Sequence, residues 1–398
     1  MNRRNAEHSI PPRDQGEAGR GSSDDARCHQ DASTFRKGAA RPDQAFNPQR
    51  HKHDSINTSA ARVRAGLIVG PTAAGKSSIA LRIAERLGAE IVNADSRQIY
   101  RWMDIGTAKP GLDERRRVPH HLIDIRGPDE PLDVAEFAAL ARAAIMEVAG
   151  RGRPVLVVGG SGLYLRAIRG GIFAAPPASS EIRARLAGLA GRHGVGHLFA
   201  RLCEIDTEAA AWIMPNDLKR IVRALEVYEQ TGVPISEHQR RHLFNERPFE
   251  TLTIGLTLPR ERLYRTIERR FDAMVEAGLV DEVRMLLANG YEPKLPMAAT
   301  CAQGDDRLKS VPLPLSTIGY REIAGFLCGE ISLAEAIVRA KRASRRLAKR
   351  QLTWFRADPE IVWLDAAYEA DEALTLFQNF FSNPDTGIHT TSLDTLSK

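Results

Sequence analysis

Residues 66 to 88, GLIVGPTAAGKSSIALRIAERLG, limit the folds open to this chain more than any other stretch. They begin as a short continuous apolar run, the pattern of a strand buried on both faces of a parallel sheet. They end as a helix with Ile79, Ile83 and Leu87 on one face and Gly88 placed for a C-terminal cap. Between the two, Gly70, Pro71, Thr72, Ala73, Ala74, Gly75, Lys76 and Ser77 satisfy G-x-x-x-x-G-K-[ST] in full. The glycines let successive N–H groups turn inward on an anion, and the helix N-terminus adds positive potential. Lys76 neutralises outer oxygens, and the Ser77 hydroxyl is placed to ligate Mg2+. By pattern this is an ATP-binding loop. Hydrolysis, phosphoryl transfer and departure of a diphosphate all use such a cradle, so the motif leaves the fate of the phosphate open.

The rest of the chain follows this start. AEIVNAD reads as a second strand, and LDVAEFAALARAAIMEVAG as a helix with Asp133 and Glu136 spaced as a capping box. PVLVVGG is a third strand running into a helix, SGLYLRAI. Alternation of this kind predicts an α/β domain over 63–175, a P-loop kinase-like parallel sheet flanked by helices. It stops over 176–248, which looks helical throughout and predicts an all-helical insertion domain. TLTIGLTL at 251–258 opens a return to the core over 249–381, with Phe271, Val275 and Leu279 on one helical face. A non-periodic loop (292–315), a basic helix over 331–356 and a last strand, IVWLD, follow. Residues 1–62 are polar and rich in Gly, Pro and Ser and read as a disordered extension, including the pair His51 and His53; 382–398 read as a disordered tail.

Composition adds limits rather than direction. The net charge of +6 over 398 residues favours a polyanionic partner only weakly. The four cysteines lie far apart without metal-ligand spacing, which fits a reducing cytoplasm. No apolar run reaches the ~18 residues of a membrane span. A cytoplasmic monomer without membrane contact is expected.

Several residues bear on chemistry. Asp95 ends the second strand, where a parallel sheet opens its ligand crevice. It could hold a magnesium-bound water, take a proton from a nucleophile, or cap the following turn. Ser161 in GGSGLY sits at the equivalent end of the third strand and by itself reads as a helix N-cap. His120 and His121 are adjacent without a third ligand and read as structural. RAKRASRRLAKR at 339–350 carries seven Lys/Arg in twelve residues with no acid, which favours nucleic-acid contact. Trp354 and Phe355 after it read as core.

GPTAAGKS, NADSRQIY, MDIGTAKP, PHHLID, VVGGSGLYL, NDLKRIVRALEVY, ERRFDAM and AKRQLTWFR, in this order, resemble the tRNA dimethylallyltransferases (IPP transferases) over about residues 65 to 365. The resemblance implies transfer of a dimethylallyl group from dimethylallyl diphosphate to N6 of adenosine 37, beside the anticodon of certain tRNAs. It further implies that the phosphate loop holds a leaving diphosphate with Mg2+, and that a helical insertion grips the tRNA anticodon stem-loop. Asp95 takes the place of the family's base, Arg270 of its diphosphate arginine, Ser77 of its loop hydroxyl and Ser161 of a position usually Thr. Implied tRNA contacts are Asp95, Ser96, Arg97, Gln98, Ser161, Arg183, Lys219, Arg220, Ile221, Val222, Arg223, Thr317, Gly319, Tyr320 and Arg321. An extra stretch before STIGYRE (316–322) departs from the family pattern. The residues alone also permit a P-loop kinase of a small metabolite, an adenylate isopentenyltransferase, or an RNA-binding NTPase switch.

Overall fold

A computed structural model describes residues 62–171, 176–242, 246–291 and 314–382, all within the unit Ala60–Lys398. The readings of 1–61 (with His51 and His53), of 292–313 and of 383–398 lie outside the described residues.

Six strands form one sheet: β1 (Arg64–Val69), β2 (Glu90–Asn93), β3 (His120–His121), β4 (Val155–Val158), β5 (Glu250–Thr257) and β6 (Ile361–Asp365). Their order is β3-β2-β4-β1-β5-β6, and every pairing is parallel. The phosphate-loop strand β1 is therefore central, with Leu67 beside both Val157 and Thr253. The apolar runs LIV, VLVV and TIGL lie buried between two helical layers, as continuous apolar strands require.

On one face pack α1 (Lys76–Leu87) and α14 (Ala370–Ser382). The opposite face holds α3 (Val134–Gly150), α4 (Gly162–Gly170), α12 (Tyr320–Leu327) and α13 (Leu333–Arg356). A short α2 (Leu112–Arg117) leads into β3, while α10 (Arg260–Glu276) and α11 (Leu279–Ala288) follow β5. Helix α14 was not expected, although Ala373, Phe377 and Phe380 recur at helical spacing. It takes in Ser382, which had been read as tail. Phe377 lies against β1 so closely that a Cβ on Gly66 would stand 2.6 Å from its ring. Similarly, Leu315, read as loop, is buried in the core at the middle of a 3-10 turn (Pro314–Ser316).

Two local expectations change. The Asp133 carboxylate caps α3 by accepting from the Ala135 and Glu136 N–H groups, but the Glu136 side chain pairs with Arg126 and completes no box. His120 and His121 form a strand that the sequence did not show. Their role is structural as read: His121 Nε2 lies 2.7 Å from a buried Glu90 carboxylate, which Arg151 also contacts. His120 is held below the ordinary imidazole value by burial.

Between α4 and β5 stand five helices among the described residues: α5 (Ser180–His193), α6 (Val195–Ile205), α7 (Thr207–Trp212), α8 (Leu218–Thr231) and α9 (Ile235–His242). They share a core of their own, formed by Leu186, Leu198, Leu202, Ile221 and Leu225 among others. At its edge Glu226 is 0% exposed. Burial raises its pKa, but hydrogen bonds from Arg183, Arg223 and the Ser179 N–H outweigh that and hold it below the usual range.

Candidate active site

The phosphate loop closes over the end of β1 for steric reasons that the residues state. Gly70 has φ 139°, and a Cβ there would stand 2.3 Å from the Leu256 carbonyl oxygen of β5. Gly75 precedes α1 at φ 86°, a left-handed conformation that glycine adopts without penalty. Ala73 takes φ 64° without being glycine, one strained position inside the cradle. The Lys76 ammonium curls back to the Pro71 carbonyl at 2.7 Å.

Three charges from three elements meet at this loop: Lys76 from α1, Asp95 from the end of β2, and Arg270 from α10. Burial pushes Lys76 down to about 8; Asp95 acts to raise it and Arg270 to lower it further. Arg270 is likewise lowered by burial, with Asp95 opposing, and its Nη1 lies 3.5 Å from Thr72 Oγ1 in the loop. Two half-buried cations beside one carboxylate leave the crevice electron-poor, a setting for an anion of more than one charge.

Asp95 does cap its turn: Oδ1 accepts from the Arg97 N–H at 2.8 Å. That contact engages one carboxylate oxygen and fixes the plane of the other. Behind it Asn93 accepts from the Asp95 N–H at 3.1 Å and donates to the Leu122 carbonyl. Ser161 stands at the N-cap of α4 but makes no cap hydrogen bond there. Its hydroxyl instead accepts from the Ser96 N–H at 3.1 Å, tying the β4 loop to the Asp95 loop and correcting the cap reading. Gln351 of α13, which sequence reasoning did not single out, joins the phosphate loop to the same β4 loop.

A family description, IPP transferase, matches residues 98–358. A tRNA dimethylallyltransferase of Geobacter metallireducens is 46% identical over 80% of this chain and 98% of its own length. The chain belongs to the IPP transferase family. One of Syntrophobacter fumaroxidans is 48% identical over 76% of this chain and 83% of its own. Among solved structures, the tRNA isopentenylpyrophosphate transferase of Bacillus halodurans matches at 38% identity and TM-score 0.57, covering 81% of this chain and 97% of that one. A eukaryotic dimethylallyltransferase described as acting on tRNA matches at 25% identity and TM-score 0.64, with 80% of each chain covered.

For an IPP transferase, the expected RNA-contact residues are unevenly placed. Lys219 and Arg220 are exposed at the start of α8. Ile221, by contrast, is 0% exposed inside the insertion core, so its side chain offers nothing to a partner; Val222 is half-buried. Arg183 and Arg223 are engaged with Glu226, which orients their guanidinium groups. Gln98 donates to the Thr107 and Ala108 carbonyls and anchors the loop rather than facing outward. Tyr320 is buried with its hydroxyl donating to Glu282, and its pKa lies far above the ordinary phenol value through burial and that carboxylate. Glu282 also accepts from the Asp104, Ile105 and Gly106 N–H groups, so this pair braces the DIGT segment. Thr317 is buried too, and Gly319 (φ 94°) starts α12; Arg321 is exposed beside Glu322.

The basic run divides by face. Lys341 meets Asp272 and Arg345 meets Glu268, both acids on α10, while Arg339 pairs with Glu335. Arg342, Arg346, Lys349 and Arg350 form an exposed stripe at helical spacing. Phe355 is core as read, but Trp354 is 42% exposed with the Arg166 guanidinium 5.0 Å from its ring centroid. The indole packs on Gly162, where a Cβ would stand 2.3 Å from its ring.

Among the described residues no group of three or more His, Cys, Asp or Glu could hold a metal, and no helix is long and apolar enough to cross a membrane. The Ser77 hydroxyl, exposed at the loop end, suits Mg2+, which takes few protein ligands and shares them with substrate phosphates and water.

Proposed function

We propose that this IPP transferase moves a dimethylallyl group from dimethylallyl diphosphate to N6 of adenosine 37 in the anticodon stem-loop of tRNA. It does so as a cytoplasmic monomer and releases diphosphate. The observation that carries this reading is the meeting of Asp95, Lys76 and Arg270 at a complete phosphate loop.

An allylic carbon bearing diphosphate is already an electrophile, so the main demand is to neutralise charge building on the departing oxygens. The loop N–H groups, Lys76 and Arg270 supply that, and a planar guanidinium suits a diphosphate's paired oxygens. Mg2+ held at Ser77 with the diphosphate would add charge neutralisation when bound. An exocyclic adenine amine is a poor nucleophile because its lone pair is delocalised into the ring. Asp95, accepting its N–H, localises that pair. The N6–C bond forms as the C–O bond to diphosphate breaks; the bonding pair leaves with the diphosphate and the N6 proton passes to Asp95. To reach Asp95 the base leaves its stack. The stripe at Arg342, Arg346, Lys349 and Arg350, with Lys219 and Arg220, supplies phosphate contacts that position the RNA.

A metabolite kinase or an ATP-driven switch also uses a carboxylate beside its phosphate loop, to hold Mg2+ or to take a proton, so Asp95 alone does not separate these readings; membership of the IPP transferase family favours prenyl transfer. An adenylate isopentenyltransferase has no use for the five-helix insertion. The test is incubation of the chain with labelled dimethylallyl diphosphate, unmodified tRNA and Mg2+, followed by nucleoside analysis. Prenylated adenosine is expected from the unsubstituted chain. Asp95→Asn is expected to retain tRNA binding and lose roughly 10²- to 10⁴-fold in rate. No product from folded chain, or near-normal turnover by Asp95→Asn, would refute the assignment.

A further inference from the structure

Gln351 lies on α13, directly after Arg350, the last residue of the basic stripe, and both ends of its amide are engaged. Its Oε1 accepts from the Thr72 N–H of the phosphate loop at 2.8 Å. Its Nε2 donates to the Gly160 carbonyl of the β4 loop at 2.9 Å. A side chain satisfied at both ends is a spacer, because turning it toward a ligand would orphan two backbone groups.

What it spaces matters for the chemistry. Thr72 belongs to the loop that holds the leaving group, and its hydroxyl lies 3.5 Å from Arg270. Gly160 precedes Ser161, whose hydroxyl accepts from the Ser96 N–H beside Asp95. A continuous path thus runs from the diphosphate cradle through Gln351, Gly160, Ser161 and Ser96 to the base. Three strand-end loops contribute to it, and the amide is seated on a 24-residue helix packed across the core. The seat is tight: a Cβ on Gly160 would stand 2.5 Å from Gln351 Nε2.

Displacement at an allylic carbon requires the departing oxygen and the incoming nitrogen to be held at a fixed separation, and an error of 1 Å costs on the order of 10²-fold in rate. We propose that Gln351 is a positioning residue that sets the separation between the diphosphate cradle and Asp95. Its loss then lowers the rate of transfer while each substrate still binds its own intact half-site. This role rests on the prenyl-transfer reading above.

Two variants disturb the bridge from opposite ends. Gln351→Met keeps the length and removes both hydrogen bonds. Gly160→Ala pushes the amide aside with a methyl group, at a position whose backbone does not demand glycine. Single-turnover transfer at saturating dimethylallyl diphosphate, tRNA and Mg2+ is measured for both, with KM for each substrate and a thermal melt. A fall of roughly 10- to 100-fold in the transfer rate is expected in each, with both KM values within about threefold of the unsubstituted chain. A rate within twofold of normal in either folded variant overturns the proposal, as does a loss confined to KM for one substrate. A lowered melting temperature with an undiminished rate would make Gln351 a structural strut only, which also overturns it. If Gln351→Met does not fold, Gly160→Ala decides alone. No transfer by the unsubstituted chain would remove the reaction itself, an outcome distinct from these.

Discussion

Lys76 shows what single residues carry here and how much of it a sequence can tell. Its place in the phosphate loop followed from the motif, but its pKa depends on partners from β2 and α10 that spacing does not reveal. With burial holding it near 8, the ammonium is charged below that pH and neutral above it. The charged form binds diphosphate, so kcat/KM for dimethylallyl diphosphate is predicted to fall as pH rises through about 8. Lys76→Arg is predicted to remove that limb, because guanidinium stays charged throughout. A pH–rate series on both proteins checks this, and an unchanged limb in Lys76→Arg would assign it elsewhere. Asp95 was legible because a parallel sheet presents its strand ends to one crevice. Its dual use was not: the turn takes Oδ1, so capping and proton transfer are compatible rather than rival. Gln351 was hidden because its partners lie 279 and 191 positions away.

At the scale of elements, periodicity foretold most helices, and the misses have physical causes. The basic run of α13 looked unpaired because its acids, Asp272 and Glu268, sit on α10, beyond any local window. Two of the run's seven charges therefore serve helix packing, and four form the exposed stripe. The exposed stripe should govern salt dependence: Arg342→Ala with Arg346→Ala is predicted to reduce the slope of log binding against log salt by roughly 0.7 to 0.9 per lost phosphate contact. Filter binding of tRNA over a salt series measures it, and an unchanged slope would take RNA off this face. In the insertion, Glu226 holds Arg183 and Arg223 in place. Its folded pKa is depressed, so its contribution is present above the unfolded value of about 4.5 and is lost as pH falls through the folded value. Glu226→Gln is predicted to destabilise the protein by about 2 kcal/mol at pH 7, the partly exposed arginines recovering some solvation. Denaturant melts should show that gap narrowing in acid; a gap that persists there would point to packing instead.

For the whole molecule, the alternation of strands and helices announced a parallel sheet, while its order and the two-residue β3 became visible only through long-range pairing. Placing β1 between β4 and β5 brings the loop after β1 beside those after β2 and β4, and brings α10 across from them. On the proposed function, that convergence makes a nucleotide-type motif the seat of a leaving group. The phosphorus products of the reaction test this most directly. With tRNA, Mg2+ and dimethylallyl diphosphate labelled in its phosphates, and no ATP added, one diphosphate is predicted for each prenylated adenosine, without orthophosphate. Label on the RNA, release of orthophosphate, or a requirement for ATP would contradict the account.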